Sequence, residues 1–133
     1  MLVSGEKNLD VLIQSMTATL VDGTYVFVTR PDNQVPEGLN VRMVFQEAEG
    51  TTLILLKTEA EAHRLTYEFP CRMITLNIHS SLEAVGFIAK IATALAEADM
   101  GVNPVSGFYH DHLIVPAGRE FDAIDILRKL SSV

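Results

Sequence analysis

A chain of 133 residues, 48% of them hydrophobic, can bury one ordinary core, or two fused cores of half that size, and little more. Acidic side chains outnumber basic ones 17 to 10, giving a net charge of −7 without any run of Lys or Arg, so a phosphate backbone or an anionic membrane would be repelled. No stretch reaches the ~20 apolar residues of a membrane span, and residues 1–10 lack the basic-then-apolar order of a secretion signal. These features predict a soluble cytoplasmic protein with no nucleic-acid or membrane partner. The single Cys71 supplies neither an intrachain disulfide, a CxxC redox pair nor a thiolate zinc cage, and no cofactor is expected.

In the first half, Leu9, Leu12, Ile13 and Met16 recur at helical spacing, with Asn8 or Asp10 in the first turn to accept from free N–H groups. The Asp22-Gly23 turn signal precedes a β-branched and aromatic strand over residues 24–29. A Pro/Asn/Gly-rich loop covers residues 30–40. Residues 41–46 and 51–57 then flank a hairpin connection that ends in Gly50. Thr58 is expected to cap a short acidic helix running to His63, and Tyr67 and Phe69 belong to a strand that reaches Pro70.

The second half reads more regularly. Ile74, Leu76 and Ile78 alternate with Thr75 and Asn77, the period of a strand with one face on a core. Ser80 followed three residues later by Glu83 has capping-box spacing, so a helix is expected to begin there. Val85, Ile88, Ile91, Ala92 and Leu95 form its apolar face, and Gly101 ends it. Residues 102–106 and 112–115 are two strands of a hairpin, with a polar tip over residues 108–111. Phe121, Ile124, Leu127 and Leu130 mark a last helix, with acids early and Arg128 and Lys129 late to suit its dipole. Strand, helix, strand, strand, helix is a ferredoxin-like order that lacks its final strand. The first half is expected to donate it, from residues 17–20, 25–29 or 66–69.

At this point particular residues carry a resemblance. Gly86-Phe87-Ile88-Ala89, continuing through Leu95-Ala96-Glu97-Ala98-Asp99-Met100-Gly101-Val102-Asn103, resembles the helix-to-strand passage of the ACT-domain family. Ser106-Gly107-Phe108-Tyr109-His110-Asp111-His112-Leu113-Ile114-Val115-Pro116 is similar to a narrower group of small bacterial proteins built of two ACT-like units with a YHDH-type hairpin. Leu9-Asp10-Val11-Leu12, Gly23-Thr24-Tyr25-Val26-Phe27, Gln46-Glu47-Ala48-Glu49-Gly50-Thr51-Thr52-Leu53 and the passage from His79 to Gly86 resemble the same group, so the likeness covers nearly the whole chain. It implies an α+β fold of two ferredoxin-like, ACT-type halves, residues 1–70 and 71–133, with antiparallel sheets and helices on one face.

The narrower group lends no activity of its own. ACT domains in general bind amino acids or similar small effectors and regulate something else, as the related cytosolic arginine sensors of animals do. The resemblance therefore implies a non-enzymatic regulatory protein. In the wider family the effector sits beside the loop after the first strand, which corresponds here to His79, Ser80 and Ser81, with Gly86 at the helix start. Most regulatory ACT units are fused to the enzyme they control; no enzyme accompanies this one, so the regulated partner is expected to be a separate protein.

Topology brings more residues to that edge. The strand end near Ile78, the helix start and the tip of the following hairpin are expected to gather His79, Ser80, Ser81, Tyr109, His110, Asp111 and His112. Free N–H groups at a helix start suit a carboxylate and Asp111 suits an ammonium, which together match the two ends of an amino acid. The plainer reading is a capped helix beside a polar turn, with Asp111 bonding its own turn.

Other chemistries read less well. His110 and His112, two apart on a strand, share a face, so an alternative is a transition-metal protein or small metallohydrolase using both. No HExxH or Cys pair accompanies them, and no Gly-x-Ser-x-Gly elbow supports nucleophilic catalysis. Glu47, Glu49, Glu59 and Glu61 read as solvated surface, and Cys71 as a half-buried inert thiol. A further alternative is a pure interaction module. Pro104 inside a strand marks an edge, from which a homodimer burying Val102, Val105 and part of residues 87–98 is expected.

Overall fold

The computed structural model describes residues 5–32 and 34–132. Asn33, inside the expected 30–40 loop, lies outside the described residues, as do residues 1–4 and Val133. In chain order the elements are α1 (Leu9–Ser15), β1 (Ala18–Leu20), β2 (Tyr25–Arg30), β3 (Val41–Gln46), β4 (Thr51–Leu56), α2 (Lys57–Ala62), β5 (Glu68–Leu76), α3 (Phe87–Glu97), β6 (Asn103–Ser106), β7 (Asp111–Pro116) and α4 (Glu120–Ser131). Contacts group them into two units, one taking the chain through Val21 and again from Arg72, the other Asp22–Cys71.

In the first unit the strands run β1, β5, β7, β6. This is the ferredoxin-like order, and its missing strand is β1, which pairs antiparallel with β5 at Ala18↔Leu76 and Leu20↔Ile74. One face of this sheet carries Ile74, Leu76, Leu113 and Val115. Against it pack Leu12 of α1, Ile91 and Leu95 of α3 and Leu127 of α4, all at most 1% exposed. Helix α1 starts where Asn8 accepts a hydrogen bond from the Val11 N–H at 3.1 Å, satisfying one of the donors that every helix start leaves open. Strand β6 pairs with β7 and forms the edge; Pro104 sits in it, as a residue without an N–H must.

The second unit orders its strands β3, β4, β2 and then the 68–71 end of β5. Val26, Val28, Leu53, Leu55 and Ala60 make its core. Pro31, Asp32 and residues 34–40 belong to no helix or strand, where a ferredoxin-like unit would carry its first helix.

Several elements depart from expectation. Residues 68–76 are one strand rather than two meeting at Pro70: the register shifts between Tyr25↔Cys71 and Phe27↔Glu68, and Pro70 sits at that irregularity, where a missing N–H costs no ladder bond. Thr58 lies inside α2 and does not cap it; the helix runs straight out of β4, with Leu56 at the cap position and no side-chain bond. No helix starts at Ser80. Helix α3 begins at Phe87 behind Gly86 at φ 90°, and Val85, expected on its apolar face, is 83% exposed. In helix α4 the expected Ile124, Leu127 and Leu130 do pack on the core, but Phe121 faces solvent at 68% while Glu120 and Ala123 are buried. Cys71 is fully rather than half buried.

Candidate functional site

The first unit places a polar cluster where β7 begins. Asp111 is 6% and Ser80 8% exposed. The Ser80 Oγ donates to Asp111 Oδ2 at 2.9 Å, and the Ser106 Oγ to Oδ1 at 2.6 Å. Ser106 reaches it because the hairpin register sets Ser106 directly opposite Asp111. No ion pair among the described residues engages this carboxylate. Its two oxygens accept from two hydroxyls, and a carboxyl group has room for further donors.

Beside it is a cleft of about 170 Å³ lined by Ser80, Ser81, Gly86, Ile88, Ser106 and Asp111, among others. The first helical amide to find a backbone partner is Lys90, which donates to Gly86 O at 3.0 Å. The amides of residues 87–89 precede it in the first turn, Gly86 offers no side-chain cap, and these residues line the cleft. The cleft thus presents a carboxylate and a helix start with its partial positive charge.

A groove of about 240 Å³ adjoins it, lined by Gly5, His79, Ser80, Ser81, Leu82, Glu83 and Phe108. The His79 ring lies 5.6 Å from that of Phe108 and 5.3 Å from that of Tyr109, and the latter two are 5.0 Å apart. The 79–81 backbone is bridged in parallel fashion to Glu6. Glu6 N–H donates to His79 O and Ser81 N–H to Glu6 O, each at 2.8 Å. Close by, Lys7 meets Glu83 at 2.9 Å and its hydrogen bond and charge hold the Glu83 carboxyl below the ordinary range.

Of the eight residues expected to converge, Ser80, Ser81, Gly86 and Asp111 line the one cleft. His79 lines the adjoining groove, and the Tyr109 ring lies tilted against the His79 ring. His110 and His112 stand apart from the cleft. Consecutive strand residues point to opposite faces, so Asp111 shares a face with Leu113 and Val115 while His112 turns away, its Nδ1 3.0 Å from Thr75 Oγ1. The rings of His110 and His112 are 6.4 Å apart, and no group of three or more His, Cys, Asp or Glu among the described residues is placed to hold a metal. Sequence reasoning missed Ser106, which only the hairpin register reveals, and the Gly5–Glu6 segment, which carries no local signal.

An ACT domain model matches residues 4–72 and a second ACT domain model matches residues 68–129. The chain belongs to the ACT-domain family. The two ACT matches overlap within β5, the strand whose ends serve the two units. No curated protein matches this ACT chain. Among solved structures, a Vibrio cholerae protein of unknown function, described as a possible transport protein, is 37% identical, covers 94% of this chain and 97% of its own, and superposes with a TM-score of 0.83. An Agrobacterium tumefaciens protein is 14% identical over 87% of this chain and 89% of its own, TM-score 0.74. The ligand-free regulatory subunit of Thermus thermophilus aspartate kinase is 12% identical over 85% and 95%, TM-score 0.61; these last two share the fold. Membership of the ACT family supports a regulatory, ligand-binding role for the chain.

Proposed function

We propose that this tandem ACT protein is a non-enzymatic regulator that binds a small amino-acid-like effector in the cleft of Ser80, Ser81, Gly86, Ser106 and Asp111. The observation that carries the reading is Asp111: a buried carboxylate with two hydroxyl donors and no ion pair among the described residues, beside the start of α3. An ammonium donating to Asp111 forms charge-assisted hydrogen bonds where water is largely excluded. The effector carboxylate then meets the 87–89 amides and the favourable end of the helix dipole. His79, Tyr109 and Phe108 flank the entrance through the adjoining groove.

Membership in a regulatory family, and the shared fold of a regulatory subunit of aspartate kinase, support regulation rather than catalysis. In this reading the regulator acts in the cytoplasm on a partner protein. Among the described residues, no helix is long and apolar enough to cross a membrane. The β6 edge, with Val105 in it and Val102 just before it, and the outer face of α3 form a homodimer interface in this reading.

Thermal unfolding in the presence of each proteinogenic amino acid tests the proposal. At ~100 times its dissociation constant an effector adds about 2.7 kcal/mol, enough to raise the midpoint by several degrees. One amino acid, or a chemically related few, is expected to do so, and Asp111→Asn to abolish the rise. Zinc and nickel in parallel wells test the His110 and His112 alternative. Silence from every amino acid overturns the proposal.

A further inference from the structure

We infer that Gly5 and Glu6 are positioning residues for the effector cleft, a strap that fixes the 79–86 loop and through it the affinity of the site. The inference rests on the effector reading above and adds residues that neither family membership nor the cleft lining assigns.

The 79–86 loop belongs to no helix and no strand ladder. Its local bonds are short-range: Ser80 N–H to Ile78 O, just before the loop, at 3.0 Å, Ala84 N–H to Ser81 O at 2.9 Å and Glu83 N–H to Ser81 Oγ at 3.1 Å. Such turns do not fix where a loop stands relative to its sheet. The backbone ties that do so are the two bonds of Glu6, one to His79 and one from Ser81. They bracket Ser80, whose hydroxyl holds Asp111 at 2.9 Å. The strap thus fixes the main chain on both sides of the side chain that orients the proposed ammonium-binding group.

Gly5 is what lets the strap lie this close. A Cβ at position 5 would collide with Ser80 C, His79 O and Ser81 N, backbone atoms that no rotamer change can move aside. Four residues on, the Leu9 side chain comes within 3.5 Å of where a Cβ on Gly86 would stand, so the same segment borders both ends of the loop. Beyond it α1 packs into the core shared by α3 and α4. A segment that orders the site is ordered by it in return, because coupling free energies are reciprocal. Effector occupancy is therefore reported at Glu6.

The test combines calorimetric titration with each of the proteinogenic L-amino acids and amide hydrogen exchange at Ser81, on wild type, Gly5→Ala and Asp111→Asn. The expected result has four parts. Wild type binds one of these amino acids; that amino acid slows Ser81 exchange; Gly5→Ala binds it about tenfold or more weakly and exchanges Ser81 faster when free. Asp111→Asn weakens binding without the Gly5→Ala change in free-state exchange. If wild type binds and Gly5→Ala binds equally well, or Ser81 exchange ignores the bound amino acid, the strap is structural only and the inference falls while the effector reading stands. If wild type binds no amino acid, the effector reading fails and takes the inference with it. Should Gly5→Ala fold poorly, Glu6→Pro, which removes the donor to His79, takes its place with the same weakened binding and faster Ser81 exchange expected, and unchanged binding again overturns the inference.

Discussion

Ser80 and Asp111 stand 31 positions apart in the chain, yet the hydroxyl of one donates to the carboxylate of the other at 2.9 Å and both are buried. The serine sits in the loop after β5 and the aspartate opens β7, so the bond ties the helix-side loop to the hairpin. Ser106 completes the arrangement from the opposite strand at 2.6 Å.

Truncating the aspartate strands both serines. Asp111→Ala leaves the buried Ser80 hydroxyl and its Ser106 counterpart without their acceptor, at a cost of about 1–3 kcal/mol. Asp111→Asn keeps the shape and one acceptor oxygen, so it costs less than Asp111→Ala while removing the charge. Chemical denaturation of the three proteins orders them wild type, Asn, Ala.

The Arg72–Glu120 pair makes stability depend on acid. Glu120 accepts from its own amide, from Gly118 N–H at 2.6 Å and from Arg72 at 2.8 Å, which together hold its carboxyl below the ordinary range against the opposing effect of burial. A depressed native value favours the ionised folded form. Its contribution is therefore complete above the unfolded glutamate value of ~4.3 and is lost as pH falls through the lower native value. Glu120→Gln is expected to be less stable than wild type at pH 7, with the gap closing below about pH 4. Removing only the cation, as in Arg72→Met, leaves the acid buried and costs about 2–3 kcal/mol; this is less than a fully buried pair, because the Arg72 side chain keeps 19% exposure. Denaturant melts at pH 7 and at about pH 2–3, below the native value, check both expectations.

Cys71 is fully buried, its Sγ–H donates to Tyr25 O at 3.3 Å, and burial pushes the thiol up to about 11. The thiolate is the reactive species. A thiol reagent at pH 8 is expected to leave the native protein unmodified and to label it at once in denaturant; stoichiometric labelling of the native state would contradict this account of the thiol.

Gly86 holds φ 90° ahead of α3. An added Cβ would meet only the Leu9 side chain at 3.5 Å, an ordinary contact, so the cost of Gly86→Ala is conformational and comes to about 1–2 kcal/mol. Equilibrium unfolding measures it.

Much of this was legible in the sequence, and the misses have physical causes. Helical spacing located α1 and α4, alternation the 74–76 end of β5, and turn signals the hairpins that hold β3 and β7; counting strands showed that one was missing from the second half, which residues 18–20 supply. The Ser80 to Glu83 spacing pointed to a helix cap, but the Ser80 hydroxyl is committed to Asp111 and the neighbouring amides to local and strap bonds. At the start of α4, Glu120 is buried against Arg72 while Phe121 is left in solvent, a pairing across 48 positions that no helical periodicity encodes. At the site, Ser80, Ser81, Gly86 and Asp111 could be read from the chain. The separation of Asp111 from His112 follows from strand parity once the strand start is known, whereas Ser106 needs the hairpin register and Gly5 the folded chain.

The most direct test of the central claim is an amide chemical-shift titration of the protein with each proteinogenic amino acid. One of them is expected to perturb the amides of Ser80, Ser81, Ser106 and residues 87–89 most strongly, with saturation, and Asp111→Asn to lose the effect. Saturable shifts centred elsewhere in the chain, or none with any amino acid, would contradict the claim.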